Sequence, residues 1–327
     1  MPAEAFVISI LDEDLNEIEL VYCVDQGKRY PSQRIPRERG LSGYVIASGN
    51  SLIIYDLAKE GSPYALVHFG ESACVHSILA APMRLGDKIF GLMSAQSYQA
   101  NTHSAEDSNL LEILAAYAAI ALDNSRLFTQ MQTSNRELGI AYEEMIEGWS
   151  RALEMRDKET KGHSDRVTRL SLRLASAMGM PEEDIVHFRR GVLLHDIGKM
   201  AIPDSILLKP SSLTEDEWIF MRQHPSYAYQ MLGDIPFIRK SLDVPYCHHE
   251  KWDGSGYPRG LKGKEIPLGA RIFAVVDVWD ALIYDRPYRP GWLPDVVRAY
   301  IVAQSGSYFD PRVVAEFISI LDTDQFT

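Results

Sequence analysis

Apolar and polar residues alternate along the first third of the chain, and turn-forming residues separate the alternating runs. Residues 5–10 and 17–24 are rich in β-forming side chains and flank the turn-prone segment DEDLN, and residues 77–85 and 88–98 flank a Gly-Asp pair in the same way. Each pair predicts a β-hairpin. Between the hairpins, residues 40–57 predict a short helix bounded by glycine and then a strand. The pattern therefore predicts an antiparallel sheet with helices, which is an α+β arrangement.

The hydrophobic period becomes helical after Ser104. Ser104 and Asp107 resemble a capping box at a helix N-terminus. Apolar residues follow at helical spacing: Leu110, Leu111, Leu114, Ala118 and Leu122. Alternating steps of four and three residues then continue through Leu127, Met131, Ser134, Leu138, Ala141 and Met145. Such a stripe suits a short parallel coiled coil, and we favour a homodimer through this helix. The alternative is a single linker helix packed on its own chain.

Helical patterns dominate from residue 151 onward. The runs RVTRLSLRLASAM, EEDIVHFRRGVLLHDIG and ARIFAVVDVWDALI place apolar residues at helical spacing, and patterns typical of hairpins are absent from this half of the sequence. The sequence therefore predicts an all-α second domain.

Length and composition bound the class of protein. A chain of 327 residues with 46% apolar residues is longer than one hydrophobic core usually supports, so we expect two domains. The longest uncharged apolar run, residues 113–122, is shorter than the roughly 20 residues that span a bilayer. The N-terminal residues lack the features of an export signal, so we expect a cytoplasmic protein without membrane contact. Cys23, Cys74 and Cys247 show no CxxC spacing, which argues against a disulfide framework and a thiolate zinc site.

The net charge of −12 is distributed unevenly. Residues 1–150 contain 10 Lys and Arg against 20 Asp and Glu, whereas residues 151–327 contain 23 against 25. Because polymer nucleic acids are bound by neutralising many phosphates, this balance argues against direct nucleic-acid binding. The second half remains able to bind a small anion.

Histidines and carboxylates collect in the second half at positions that helix packing can bring together. His195 and Asp196 end the apolar run GVLLHDIGK, where neighbouring side chains about 100° apart reach one site, and Asp277 interrupts the apolar run IFAVVDVWDAL. Glu159 and His163 stand four residues apart, which places them on one face if that segment is helical. The candidate ligands are Glu159, His163, His195, Asp196, His224, His248, His249 and Asp277. Imidazole and carboxylate without thiolate suit iron, manganese or zinc, and paired metal ions suit phosphodiester hydrolysis.

Longer motifs carry two family resemblances. GLSGYV with YDL, the hairpin APMRLGDKIFGLMSAQS and the helix LLEILAAYAAIALDNSRLF resemble a GAF domain over residues 1–125. GAF domains generally open with a helix, and this chain starts close to the first strand, so we expect that helix to be missing. GHSDRV, LLHDIGKMAIPDSILLKP, RQHP, HHEKWDGSGYPRGLKGKEIPL and RIFAVVDVWDALIYDRPYR resemble an HD-GYP domain of the HD-domain phosphohydrolase superfamily. We predict a sensor domain over residues 1–125, a linker helix over 126–146 and an HD-GYP domain over 147–327.

The HD-GYP resemblance implies an activity and a metal centre. The family hydrolyses the bacterial second messenger cyclic di-GMP to pGpG, GMP or both, through attack by a metal-bridging hydroxide. All the candidate ligands except Glu159 match the common ligand set of the family, with Asp196 as the bridge. Glu159 matches a subgroup with three iron ions, so the resemblance favours a trinuclear iron centre over a dinuclear one, with manganese as the alternative metal.

The same resemblance implies substrate contacts. Lys199 matches a residue that contacts the scissile phosphate and can protonate the leaving oxygen. Arg286 and Arg289 match basic positions that bind the phosphates or guanines of the ligand, and Arg289 stands where the family frequently has Lys. The motif DGSGYP, with Gly256, Tyr257 and Pro258, would form a wall of the ligand pocket; a purely structural turn is the alternative.

Two other functions remain open from the sequence. The enzyme would act on a different cyclic dinucleotide, such as cyclic GMP-AMP, or the chain would be a catalytically silent receptor for such a ligand. The complete ligand set and Lys199 argue against the silent receptor. The GAF resemblance implies an unidentified small-molecule ligand, and the helix over residues 104–150 would transmit its effect to the second domain.

Overall fold

The computed structural model describes residues 1–60, 75–157, 162–285 and 290–324. The chain divides into two compact units, Met1–Arg136 and Glu137–Thr327. No helix among the described residues is both long and apolar enough to cross a membrane.

The first unit contains a seven-stranded sheet. Its strands are β1 (Ala5–Asp12), β2 (Glu17–Asp25), β3 (Lys28–Tyr30), β4 (Gln33–Pro36), β5 (Leu52–Ile54), β6 (Ser77–Leu85) and β7 (Lys88–Ser97). The order is β3-β2-β1-β7-β6-β5, β4 also pairs with β2, and the pairs are antiparallel. Both predicted hairpins, β1-β2 and β6-β7, are confirmed. β3 and β4 were not predicted, because these short, mostly exposed strands lack an alternating apolar pattern.

Helices cover both faces of this sheet. The predicted helix within residues 40–57 is confirmed as α1 (Gly40–Ser48), and a short helix α2 (Leu57–Glu60) follows β5. Val45 and Ile46 of α1 are buried in a cluster with residues of β1 and β2. The other face packs against the start of a long helix, α3, through Leu111. The sheet therefore packs against helices through two separate hydrophobic clusters, one on each face.

α3 (Ala105–Asp157) is one helix of 53 residues. The predicted capping box is confirmed, since the backbone N–H of Asp107 donates to Ser104 Oγ (3.2 Å) and Asp107 Oδ2 accepts from the backbone N–H of Ser104 (2.9 Å). The helix continues past residue 150 without interruption. The end of the predicted sensor domain, the whole predicted linker helix and the start of the predicted second domain are therefore parts of one helix.

The second unit is mostly helical, as predicted. After the end of α3 it contains α4 (His163–Ala177), α5 (Glu182–Leu193), α6 (Asp204–Leu207), α7 (Glu215–Met221), α8 (His224–Leu232), α9 (Asp243–Cys247), α10 (Leu268–Ile283), α11 (Pro294–Ala303) and α12 (Pro311–Asp324). Among its described residues, β pairing is limited to an isolated bridge between Ser305 and Phe309. α10 lies in the main core, where Phe273 and Val275 are fully buried. This central position brings Asp277 of α10 close to the other elements of the site.

Candidate metal centre

A tight turn between α5 and a 3-10 helix (Ile197–Ala201) holds His195 and Asp196. Gly198, in the 3-10 helix, packs directly on the first turn of α8. A Cβ atom at this position would overlap the carbonyl oxygen of His224 and would lie 2.7 Å from the backbone nitrogen of Ala228. Glycine is therefore required for the turn to approach α8 closely, and this approach brings His224 to Asp196.

The remaining predicted ligands come from the ends of other helices and from α10. His248 and His249 directly follow α9, and His163 is the first residue of α4. His163 and His248 are almost completely buried, whereas His249 and Asp277 are partly buried. Packing of five elements therefore assembles a set of side chains that are far apart in the sequence.

The described ligands form two groups. Asp196, His224, His248 and His249 form one group, and His163, His195 and Asp277 form the other. Within each group, one potential ligand atom per residue lies within 4.8 Å of all the others. The structure thus brings together all seven of the predicted ligands that it describes.

Asp196 lies between the two groups, and its two oxygens point in different directions. Oδ1 lies 3.2 Å from His224 Nε2 and 3.8 Å from His248 Nε2, whereas Oδ2 lies 3.1 Å from His195 Nε2. A carboxylate in this arrangement offers one oxygen to each group.

The second ring nitrogens of the buried histidines fit metal binding. The Nδ1 atoms of His195, His224 and His248 lie 2.8, 2.8 and 3.0 Å from backbone carbonyl oxygens, so each Nδ1 carries the proton and donates it. This tautomer leaves Nε2 with a lone pair that is directed into the site, which is the usual arrangement of a metal-binding histidine. Nε2 of His224 and Nε2 of His248 are only 3.3 Å apart. Because two lone pairs at this distance repel each other, a cation between them would stabilise the arrangement.

Electrostatics favour a metal ion over a proton in this position. Burial, followed by neighbouring His side chains, lowers the pKa of His248 and His249 well below the usual value, so both rings are neutral at pH 7. Burial alone would raise the pKa of Asp196, but the positive charge of Lys199 nearby holds it well below its usual value. The neutral imidazoles of His248 and His249 and the ionised carboxylate of Asp196 fit a divalent metal ion of the iron, manganese or zinc type.

Asp280, which lies on α10 one turn after Asp277, forms a hydrogen bond with His163. Its Oδ2 accepts a hydrogen bond from His163 Nδ1 (2.8 Å), and its two oxygens accept from Nε and Nη2 of Arg166 (2.7 and 2.8 Å). Asp280 is 5% exposed. Asp280 was not among the predicted site residues, although its position in the apolar run beside Asp277 was an available signal.

Lys199 lies next to the carboxylate of Asp196. Its Nζ atom is 2.5 Å from Asp196 Oδ2 and 3.3 Å from Oδ2 of Asp157, the last residue of α3. The side chain of Asp157 is 4% exposed. Asp157 was also missed by the sequence analysis, because an acidic residue in the polar run RDKETKGHS is usually exposed.

The loop after His249 packs on the site. The Tyr257 ring stacks on the His249 ring with centroids 4.8 Å apart, and the Tyr257–Pro258 peptide is cis. A Cβ atom on Gly256 would overlap the backbone nitrogen of Lys251, so the loop needs glycine there. Glu250 holds the loop by accepting hydrogen bonds from two of its backbone N–H groups, at 2.7 and 2.9 Å. Of the predicted wall residues, Tyr257 therefore lies against the imidazole cluster.

Three predicted site residues, Glu159, Arg286 and Arg289, lie outside the described residues. Among the described residues, α4 begins at His163, and Gly162 directly before it has a left-handed φ of 77°. A glycine in that conformation interrupts a continuous α-helix.

Two family models match the chain. Residues 148–313 match the HD domain and residues 1–123 match the GAF domain. The HD domain match covers just over half of the chain, so the chain belongs to the HD domain family, and it carries a GAF domain in its N-terminal part. The resemblance to an HD-GYP protein with an N-terminal GAF domain is confirmed.

Curated relatives match the chain over somewhat more than half of its length. The cyclic di-GMP phosphodiesterase response regulator RpfG of Xanthomonas campestris is 41% identical over 64% of this chain and 56% of its own. A cyclic di-GMP phosphodiesterase of Thermotoga maritima is 42% identical over 54% of this chain and 49% of its own. The 3'3'-cGAMP-specific phosphodiesterase 2 of Vibrio cholerae is 36% identical over 65% of this chain and 41% of its own. The chain thus spans about half the length of these relatives.

Proposed function

We propose that the protein is a metal-dependent phosphodiesterase that hydrolyses cyclic di-GMP to pGpG, GMP or both. The observation that carries the proposal is the position of Asp196, whose two oxygens face two separate groups of imidazole side chains. A carboxylate between two cation sites about 4 Å apart is typical of centres that hydrolyse phosphate esters. Two relatives with the same class of domain are named cyclic di-GMP phosphodiesterases, which supports the choice of substrate.

His163, His195 and Asp277 would hold one metal ion, and His224, His248 and His249 would hold another, with Asp196 shared by both. Bound metal ions would supply Lewis-acid polarisation of the phosphodiester and would lower the pKa of water. Glu159 is the residue that we assign to a third ion, and we propose iron as the metal, with manganese as the alternative. The neutral rings of His248 and His249 would bind a cation without competition from protons at pH 7.

Lys199 would donate from Nζ to a phosphate oxygen of the substrate or to its leaving oxygen, since its ammonium already lies beside Asp196. Tyr257, stacked on His249, would form one wall of the substrate pocket. Arg286 and Arg289 are the residues that we assign to the phosphates or guanines of the ligand, because a guanidinium group binds both in a bidentate manner.

A related cyclic dinucleotide is the second candidate substrate. The observation that favours it is the 36% identity to a relative that is named a 3'3'-cGAMP-specific phosphodiesterase. Both substrates contain two phosphodiester bonds, so the same metal centre suits either one. Contacts to the second base would decide the selectivity.

The first experiment joins metal analysis and product analysis on one anaerobic preparation. We expect about two metal ions per chain for a dinuclear centre, or about three for a trinuclear one. We also expect pGpG or GMP to form from cyclic di-GMP. Asp196→Asn should abolish hydrolysis and lower the metal content. Asp184→Asn, which changes an exposed carboxylate at the start of α5, is the matched control and should retain both.

The outcomes separate the alternatives. Faster hydrolysis of 3'3'-cGAMP than of cyclic di-GMP in a competition assay would assign the second substrate. Tight binding of cyclic di-GMP without any product, on a metal-loaded protein, would assign a catalytically silent receptor. A protein that neither binds nor cleaves either dinucleotide would refute the proposed substrate class.

We further propose that residues 1–125 form a sensor for an unidentified small molecule, that residues 126–146 act as the linker helix and that residues 147–327 form the catalytic domain. Because α3 is continuous from Ala105 to Asp157, a change at its start can reach its end. Insertion of one residue after Ser134 would rotate the preceding part of the helix by about 100° relative to the following part. We expect a changed hydrolysis rate; an unchanged rate would argue against coupling through the helix.

The exposed face of α3 supports the proposal of a homodimer. All six positions of the predicted stripe are exposed, and the same spacing continues toward the N-terminus through four further exposed positions: Ile113, Tyr117, Ile120 and Asn124. The large apolar side chains of the whole stripe are between 42% and 68% exposed. The stripe is about 50 Å long at a rise of about 1.5 Å per residue, which corresponds to between four and five heptads. A heptad pattern sustained over about three to four heptads or more argues for a coiled coil.

Light scattering on a size-exclusion column would test the dimer. Met131→Lys with Leu138→Lys places two charges in the stripe and should yield monomers. Thr133→Lys places a charge on the other side of the same helix and should leave the dimer intact. A wild-type monomer at micromolar concentration would refute the dimer.

A further inference from the structure

Arg156, in the last turn of α3, forms hydrogen bonds to the segment that carries Lys199. Arg156 Nη1 donates to the backbone carbonyl oxygens of Lys199 (3.2 Å) and Met200 (2.7 Å), and Nη2 donates to the carbonyl oxygen of Ile202 (2.9 Å) and to Asp204 Oδ1 (3.0 Å). One guanidinium group thus bonds to four acceptors within six residues. These contacts join positions that are more than 40 residues apart in the sequence.

The carbonyl groups that Arg156 binds lie at the end of the 3-10 helix (Ile197–Ala201). The last carbonyl groups of a helix lack partners within the helix, and the planar fork of Arg presents several N–H groups to such acceptors at once. A Lys in the same place has a single ammonium group, which is unable to reproduce this geometry. Arg156 therefore fixes the backbone at Lys199.

The neighbouring residue in α3 fixes the side chain of Lys199. Asp157 Oδ2 lies 3.3 Å from Lys199 Nζ, and the Lys199 side chain is 15% exposed. The end of α3 therefore contacts Lys199 twice, at its backbone through Arg156 and at its ammonium through Asp157. A long, flexible side chain held at both ends keeps its charged group in a defined position beside Asp196.

We propose that Arg156 is a positioning residue, which acts on hydrolysis by holding the Lys199 segment against the end of α3. The proposal rests on the proposed function, in which Lys199 donates to the phosphate or to the leaving oxygen. α3 runs from Ala105 to Asp157, so a movement of this helix would reach Lys199 through the hydrogen bonds of Arg156. Arg156 does not need to touch the substrate to affect the rate, because it acts through the position of Lys199.

Loss of the grip should lower kcat more than it raises KM. A displacement of about 1 Å of a catalytic group costs on the order of 100-fold in rate, so we expect kcat of Arg156→Ala to fall about 10- to 100-fold with metal content unchanged. Arg156→Lys keeps the charge but lacks the fork, and should recover little of the rate. Arg151→Ala is the matched control, because Arg151 lies on the same helix, is 66% exposed and pairs with Glu147 alone among the described residues.

A double-mutant cycle distinguishes positioning from a general structural effect. If Arg156 acts through Lys199, Arg156→Ala should have little further effect on kcat in a Lys199→Ala background. Full additivity of the two losses would overturn the proposal. Bis(p-nitrophenyl) phosphate serves as a second, general phosphodiester probe, so the cycle can be completed even if cyclic di-GMP is not the substrate.

Hydrogen exchange provides a readout without any substrate. Arg156→Ala should raise amide exchange of residues 199–204, whereas Arg151→Ala should not. Unchanged exchange in this segment would overturn the proposal even where the proposed function holds. Conversely, raised exchange in a protein that hydrolyses neither probe would refute the proposed function and leave the grip of Arg156 supported.

Discussion

Replacement of Asp280 by Asn tests whether a buried ion pair prepares His163 for metal binding. Asp280 accepts hydrogen bonds from His163 Nδ1 at 2.8 Å and from two nitrogens of Arg166 at 2.7 and 2.8 Å. Asn is nearly isosteric but has one acceptor oxygen and no charge. The variant therefore retains the shape of the site while Arg166 loses its buried counter-charge.

Two effects of different size are expected. Removal of one partner from a buried ion pair costs about 3–5 kcal/mol of stability, and the remaining amide oxygen should place Asp280→Asn at the lower end. Loss of an outer partner of a metal-binding His costs about 10- to 100-fold in metal affinity, which corresponds to about 1.4–2.8 kcal/mol. The second effect is specific to His163, so it must be measured separately from the first.

Asp310→Asn is the matched control. Asp310 is 3% exposed and pairs with Arg271 at 2.6 Å in the same unit, and it belongs to neither group of described candidate ligands. Both variants should lose stability in urea unfolding of the metal-free protein. Only Asp280→Asn should also lose metal affinity in a competition titration against a coloured chelator. Equal metal affinity of the two variants would refute the role of Asp280 in preparing His163 for metal binding.

The pH dependence of the stability loss gives a further check. Burial alone would raise the pKa of Asp280, but hydrogen bonds from His163 and Arg166 lower it below the usual value. A lowered pKa in the folded state contributes stability that is present above the unfolded pKa of about 4 and is lost as the pH falls through the folded pKa. The stability difference between wild type and Asp280→Asn should therefore narrow below about pH 4.

Two further predictions concern packing and a buried hydrogen bond. Gly198→Ala should strongly lower the melting temperature and the metal content, because its Cβ would overlap the carbonyl oxygen of His224. Gly148→Ala is the control and should change neither quantity, because nothing lies within 4 Å of its added Cβ. Thermal melts and metal analysis of both variants test this prediction. A hydrogen bond to buried Asp25, together with burial, raises the pKa of Tyr98 to about 12. Tyr98→Phe should lower the free energy of unfolding by about 1–3 kcal/mol below pH 10. The difference in this free energy between wild type and variant should disappear as the pH rises from about 10 to about 12. Urea unfolding at several pH values measures it.

Local pattern was sufficient for most of the secondary structure. The hairpins β1-β2 and β6-β7 and the start of α3 at Ser104 follow from alternation, helical period and capping chemistry, all of which are properties of neighbouring residues. Short exposed strands such as β3 have no such signal, because few of their side chains are buried. Their pairing depends on the edge of the sheet that β2 offers.

The sequence also determined the class of site. Paired His and Asp residues in a predicted all-α region indicated a metal centre without thiolates, and the motifs around them indicated an HD-GYP domain. The ligand types follow from the residues themselves, so no coordinates were needed to name seven of the side chains that the structure places in two groups.

Only the tertiary structure decided which residues support those ligands. Asp280 contacts His163 across 117 residues, and Arg156 contacts the backbone around Lys199 across 43 to 46 residues. No local pattern encodes such pairs, because each depends on how two helices pack and on which direction their side chains face. Short motifs thus determine which chemical groups are present in the site. Their orientation results from contacts between distant segments that form only when the unit is folded. Examples are the two oxygens of Asp196, which face different groups of ligands, and the hydrogen bonds of Arg156 to the backbone at Lys199.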